Sequence, residues 1–159
     1  MNGYYRPLAV AALALTCSGV AAQPADSYAT DLGRVYGGYK RLLAMKEACD
    51  TAVPATRAAN DKAFAIWQTR HGPLIQDLQR RVRAMVLAAS TDKDDYVRNV
   101  GKYEGAILLE RREYRDTLLG LGADELRNQC QRVPEMLKGP SADLAQVYAA
   151  ELATLRKRK

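Results

Sequence analysis

Residues 63–89 read AFAIWQTRHGPLIQDLQRRVRAMVLAA, and their apolar positions recur every three or four residues: Ala63, Phe64, Trp67, His71, Leu74, Leu78, Val82, Met85 and Ala89. That spacing is the period of an α-helix and not of a strand. The stripe passes Gly72-Pro73 without changing phase. One kinked helix is therefore predicted rather than two, although a proline biases the residue before it away from helical geometry. Pro54 suits the first position of this helix, since the N–H that proline lacks would have no partner there.

The same period extends in both directions. Upstream, Tyr28, Leu32, Val35, Tyr36, Tyr39, Leu42, Leu43 and Cys49 predict a helix over Ser27–Cys49, with Asp26 or Ser27 as its N-cap. Downstream, Ser90–Asp95 reads as a turn, in which Thr91 and Asp94 resemble a capping box and three aspartates face the positive end of the next helix. That helix follows Tyr96, Val100, Tyr103, Ile107, Tyr114 and Leu118 and stops near Gly120 and Gly122. Leu126, Cys130, Val133 and Leu137 mark a fourth helix, interrupted by Pro134 and closed by Gly139-Pro140. A last one uses Leu144, Val147, Tyr148, Leu152 and Leu155. No segment after residue 22 alternates with period two, so the fold class predicted is all-α, an up-down bundle of four to five helices.

The chain opens like an export signal. Arg6 precedes the short apolar run Pro7–Val20, and Val20-Ala21-Ala22 offers small residues for cleavage. The run falls short of the roughly 20 residues a membrane span needs. A signal peptide is thus expected over residues 1–22 and one helical domain over 23–159, with no transmembrane span in the mature chain and a periplasmic or secreted destination. Removing Cys17 with the leader leaves Cys49 and Cys130, which an oxidising compartment would join. The alternative, lipidation of Cys17, is poorly served by Ala14-Leu15-Thr16 ahead of it.

The topology provides a check on that pairing. Short connections make sequential helices antiparallel, so the fourth helix starts at the end where the first one stops. Cys130 then lies about 9 Å from that end, at 1.5 Å per residue. The pairing and the up-down-up topology therefore agree.

Charge and motif content narrow the function. With Arg6 gone, 23 basic residues stand against 18 acidic ones, a net +5. This balance favours weak contact with an anionic envelope polymer or lipid, for which Arg80, Arg81 and Arg83 and the C-terminal Arg156–Lys159 are the basic groups. Export argues against nucleic acid. His71 is the only histidine, and the stripe around it carries no carboxylate. A zinc site needs several His or Cys ligands, and a serine nucleophile motif and the haem-attachment motif C-x-x-C-H are both missing. His71 is read as a structural residue, with axial haem ligation or pH sensing as alternatives. Asp92, Asp94 and Asp95 do not continue into a calcium loop, because Lys93 and Tyr96 break its alternation. No metal and no cofactor is expected.

Glycines supply the remaining signal. Gly33 and Gly37, and again Gly101 and Gly105, form G-x-x-x-G pairs on two predicted helices, and Gly38 adds a fifth glycine. Each costs about 1 kcal/mol relative to alanine inside a helix. Close backbone approach within the bundle would offset that, as would a groove that accepts a ligand or a partner helix. The candidate groove is Gly33, Tyr36, Gly37, Trp67, His71, Gly101, Tyr103 and Gly105. The function expected is that of a non-enzymatic binding module of the cell envelope with a protein partner. The alternatives are a carrier of a small hydrophobic or haem-like ligand, and an inhibitor or immunity protein for an envelope-acting enzyme.

Overall fold

The computed structural model describes residues 24–157. The expected signal peptide and residues 158–159 lie outside the described residues. The described residues form six α-helices and two 3-10 turns, with no strand among them: α1 Pro24–Ala52, α2 Arg57–Ala88, α3 Lys93–Leu119, α4 Ala123–Lys138, α5 Leu144–Val147 and α6 Ala149–Lys157. The turns are Pro54–Thr56 ahead of α2 and Pro140–Ala142 ahead of α5. The four long helices are those the apolar spacing predicts.

α1 is the central element, packed by α3, α2, α6 and α4. Leu32, Val35, Tyr36, Ala44, Ala48 and Cys49 are all buried along it, a wider face than a helix lying on the rim of a bundle would hide. α3 runs parallel to α1 beside it. Arg111 pairs with Glu47 and Arg41 with Glu110 across this contact. Between α1 and α2, the Lys46 ammonium bridges Asp50 at 2.6 Å and Asp61 at 2.5 Å. Those two hydrogen bonds hold the lysine above its ordinary pKa. The Cys49–Cys130 disulfide ties the end of α1 to α4 with the Cα atoms 5.3 Å apart, so up-down-up topology and pairing agree as expected.

The local departures from expectation have physical causes. Pro54 starts a 3-10 turn, and the α-helix begins three residues later at Arg57. α2 then runs unbroken through Pro73, whose ring is exposed on the solvent side. Asp26 and Ser27 lie inside α1 rather than ahead of it. The cap of α3 is shifted by one residue. Asp92, not Thr91, is the N-cap: its carboxylate accepts from the Asp95 N–H at 2.8 Å, while Asp95 accepts from the Thr91 N–H at 3.0 Å. The predicted last helix is split, because Tyr148 leaves helical geometry between α5 and α6. Val147 is consequently exposed instead of joining the core, and Ala89, just past the end of α2, is exposed as well. Ile75 and Val86 join the buried face of α2 beyond its predicted stripe.

Two hydrogen bonds fasten the C-terminal segment to α2. The Trp67 indole donates to the Ala142 carbonyl at 2.8 Å, and the Arg81 guanidinium donates to the Leu155 carbonyl at 2.8 Å. Asp77 positions Arg81 through a further bond at 2.7 Å, which holds the Asp77 carboxyl below the ordinary carboxylate range. No helix among the described residues is long and apolar enough to cross a membrane.

Candidate functional site

The residues of the candidate groove separate into distinct places. Trp67, His71 and Tyr36 belong to an aromatic cluster in the core. Tyr39 lies nearly parallel to Trp67 with ring centroids 6.3 Å apart, Phe64 packs at 5.4 Å, and His71 sits one helical turn on at 4.7 Å. Tyr36 continues the cluster along α1 through Tyr39, at 6.1 Å. His71 is only 5% exposed, and its Nε2 is buried without a hydrogen-bond partner. Burial lowers the imidazole pKa from its usual value; Asp143 opposes that shift and Arg70 adds to it. The ring is therefore neutral near pH 7. Among the described residues, no group of three or more His, Cys, Asp or Glu is placed to hold a metal ion.

Gly33 occupies a second place, a polar cleft of about 290 Å³ that it shares with Arg34, Arg41, Glu110 and Tyr148. Gly37 follows one turn on, where a Cβ would come 3.3 Å from the Glu110 carboxylate. The tightest approach belongs to Gly38, where a Cβ would overlap the Tyr148 ring, at 2.5 Å from Cζ. Close approach across α1 is thus made by Gly37 and Gly38 to side chains of α3 and of the α5–α6 junction. Around Gly33 the space is open. Tyr103 stands beside another cavity, of about 240 Å³, between α2 and α3, near Tyr96 and Val86. Its hydroxyl is buried without a partner, and burial, more than the neighbouring Tyr36, Glu104 and Tyr28, pushes its pKa to about 12. A larger depression of about 430 Å³, between Met45, Arg132, Met136 and Gly139, involves no residue of the candidate groove.

Gly101 and Gly105 belong to neither cavity. Both are exposed on α3, and a Cβ built on either meets nothing within 4 Å. Around them lie large apolar side chains that the fold leaves in water: Val97 is 62%, Leu108 51% and Leu109 58% exposed. α3 buries its opposite flank, with Ile107 in the core and Tyr96, Val100, Tyr103, Tyr114 and Leu118 packed against it. The stretch from Val97 to Leu109 is thus a helix face that carries three exposed apolar side chains beside the exposed Arg98 and Lys102, is shallow in the middle, and is unpartnered within the described residues. The G-x-x-x-G spacing was its signal in the sequence. The exposed leucines were missed, because they lie off the core stripe.

The basic groups are more neutralised than their clustering implies. Arg80 and Arg81 share Asp77, at 3.0 and 2.7 Å. Arg156 and Lys157 close α6, where cations are favoured by the helix dipole.

No family model matches this chain, and neither the curated proteins nor the solved structures contain a significant match to it.

Proposed function

We propose that the protein is a non-enzymatic binding module of the cell envelope that engages another macromolecule through the solvent face of α3. The observation that carries this is the exposure of Val97, Leu108 and Leu109 around two glycines with open space above them. Apolar residues scattered singly over a surface need no explanation, whereas three of the large apolar side chains left exposed share the solvent face of this one helix, and such exposed apolar sets mark interaction sites. Gly101 and Gly105 support the same reading, because together they cost the helix about 2 kcal/mol and no contact among the described residues offsets it. A partner helix laid across them would recover that cost through close backbone approach. Inhibition of an envelope-acting enzyme is one form such binding takes.

The envelope destination is supported by the leader-like residues 1–22 and by the Cys49–Cys130 bond, since disulfides persist in oxidising compartments. A photo-crosslinking amino acid placed at Leu108 of the full chain, in cells that produce it, tests the reading. The same probe at Glu125, exposed on α4, serves as the control. A macromolecular adduct from position 108 and none from 125 is the expected result. No adduct from 108 would refute the assignment of this face.

A further inference from the structure

Resting on that reading of α3, we propose that the macromolecule seated on it is a second copy of this chain, packed antiparallel about a two-fold axis at Tyr103. At 100° per residue, Asp94, Gly101, Gly105 and Arg112 fall within about 40° of one another on the helix surface. Val97 and Leu108 flank that line on one side, and Arg98 and Leu109 on the other.

The pattern is symmetric about Tyr103. In an antiparallel pair, residues equally far from the axis on either side face each other. Asp94 and Arg112 each lie nine positions from Tyr103, and Gly101 and Gly105 each lie two. The two-fold therefore sets Asp94 against Arg112 of the second copy at both ends of the contact and brings the glycines together in the middle. Off the central line the two-fold keeps each side against itself, so Val97, six positions from the axis, falls against Leu108 of the second copy, five positions from it, and the stem of Arg98 against Leu109. One strip of one helix is thus complementary to itself in charge, in apolar surface and in depth, which is what an isologous interface requires.

The charges have no equivalent satisfaction among the described residues. Asp94 makes no ion pair among the described residues, and Arg112 reaches only Asp116, at 3.7 Å with both side chains exposed. Asp94 and Arg112 of one chain are about 27 Å apart along the helix, so they cannot meet each other. The match also selects the crossing geometry. Only a shallow crossing, about 20° with the axes near 8 Å apart at the glycines, keeps both ends of α3 within reach of the partner charges. A single helix pair of this length belongs with small, transient interfaces, so the association is reversible and concentration-dependent.

Analytical ultracentrifugation of the purified, disulfide-intact protein from micromolar to millimolar concentration tests this, using Asp94→Arg and Arg112→Asp. The wild type is expected to move toward twice its monomer mass as concentration rises. Each variant alone sets like charges against each other at both ends and should associate roughly ten- to a hundredfold more weakly. An equimolar mixture of the two restores both opposite-charge pairs in the heterodimer and should associate like the wild type. Restoration in the mixture also excludes misfolding of either variant as the cause of the loss. A wild type that stays monomeric throughout, or a mixture no more associated than its components, overturns the proposal. An adduct of foreign mass from the probe at Leu108, with none at twice the chain mass, would also overturn it while leaving the binding function standing.

Discussion

Breaking the Cys49–Cys130 bond should remove a large part of this protein's stability. The two residues are 81 positions apart and only 1% and 0% exposed, so the closed loop includes all of α2 and α3 and the start of α4. In the chain-entropy account a loop of that length raises the free energy of the unfolded chain by about 4.5 kcal/mol. Folded domains of ordinary size are stable by only about 5–15 kcal/mol, so the loss is decisive for a protein in the lower half of that range. The perturbation is Cys49→Ala with Cys130→Ala, compared with the wild type under oxidising and reducing conditions. Urea unfolding followed by far-UV circular dichroism reads the effect. We expect the double variant and the reduced wild type to lose about 3–5 kcal/mol. We also expect the denaturant dependence to steepen, because an uncrosslinked unfolded chain exposes more surface. A loss below about 1 kcal/mol with an unchanged slope would refute the reasoning, for it would mean that the crosslink does not restrain the unfolded state.

The glycines should divide by what lies opposite them. Gly101→Ala and Gly105→Ala should each stabilise the dilute protein by about 0.5–1 kcal/mol, while Gly38→Ala should destabilise it by about 1–2 kcal/mol because its methyl group meets the Tyr148 ring. Thermal melts separate the two classes, and a destabilising Gly101→Ala would contradict the open space above that residue. His71 should make stability fall in mild acid. Its folded pKa lies below the usual 6.5, so the unfolded chain takes up the proton first; the stability is fully present above about pH 6.5 and declines as pH falls from there toward the folded value. His71→Phe should flatten that part of the profile in urea midpoints measured between about pH 7 and 5. An unchanged profile would remove His71 as its cause. The Asp77–Arg81 pair acts in a separate window, since the lowered Asp77 pKa loses its contribution only as pH drops below 3.8.

How much of this was legible in the sequence depended on how far apart the deciding atoms are. The phase of helix α2 could be read, because its buried face is a local period that Pro73 does not interrupt, while its first turn and the burial of Ile75 and Val86 could not. The disulfide could be read because only two cysteines remain after residue 22 and the helix order puts them at one level. The capping of α3 was legible to within one residue, since several aspartates compete for the same N–H groups and only the backbone path selects Asp92. Val147 was misplaced because a single non-helical residue, Tyr148, turns α6 out of phase with α5. Of the candidate site, the G-x-x-x-G on α3 was visible while its exposure was not.

The sequence by itself determined an all-helical chain, the order and approximate extent of its long helices, and the pairing of Cys49 with Cys130. Those properties come from spacing along the chain, where 3.6 residues per turn convert position into direction. Only the tertiary structure decided that α1 is the central helix and that Trp67 and His71 are packing rather than lining a cleft. It alone decided that Gly38 is filled by Tyr148 while Gly101 and Gly105 face open space. A glycine has no side chain to report its surroundings. Its meaning is set by an atom far away along the chain in one case and by open space in the other. The same G-x-x-x-G spacing is therefore only half a contact on α1, where Gly37 meets Glu110 and Gly33 faces open space, and an unpartnered surface on α3.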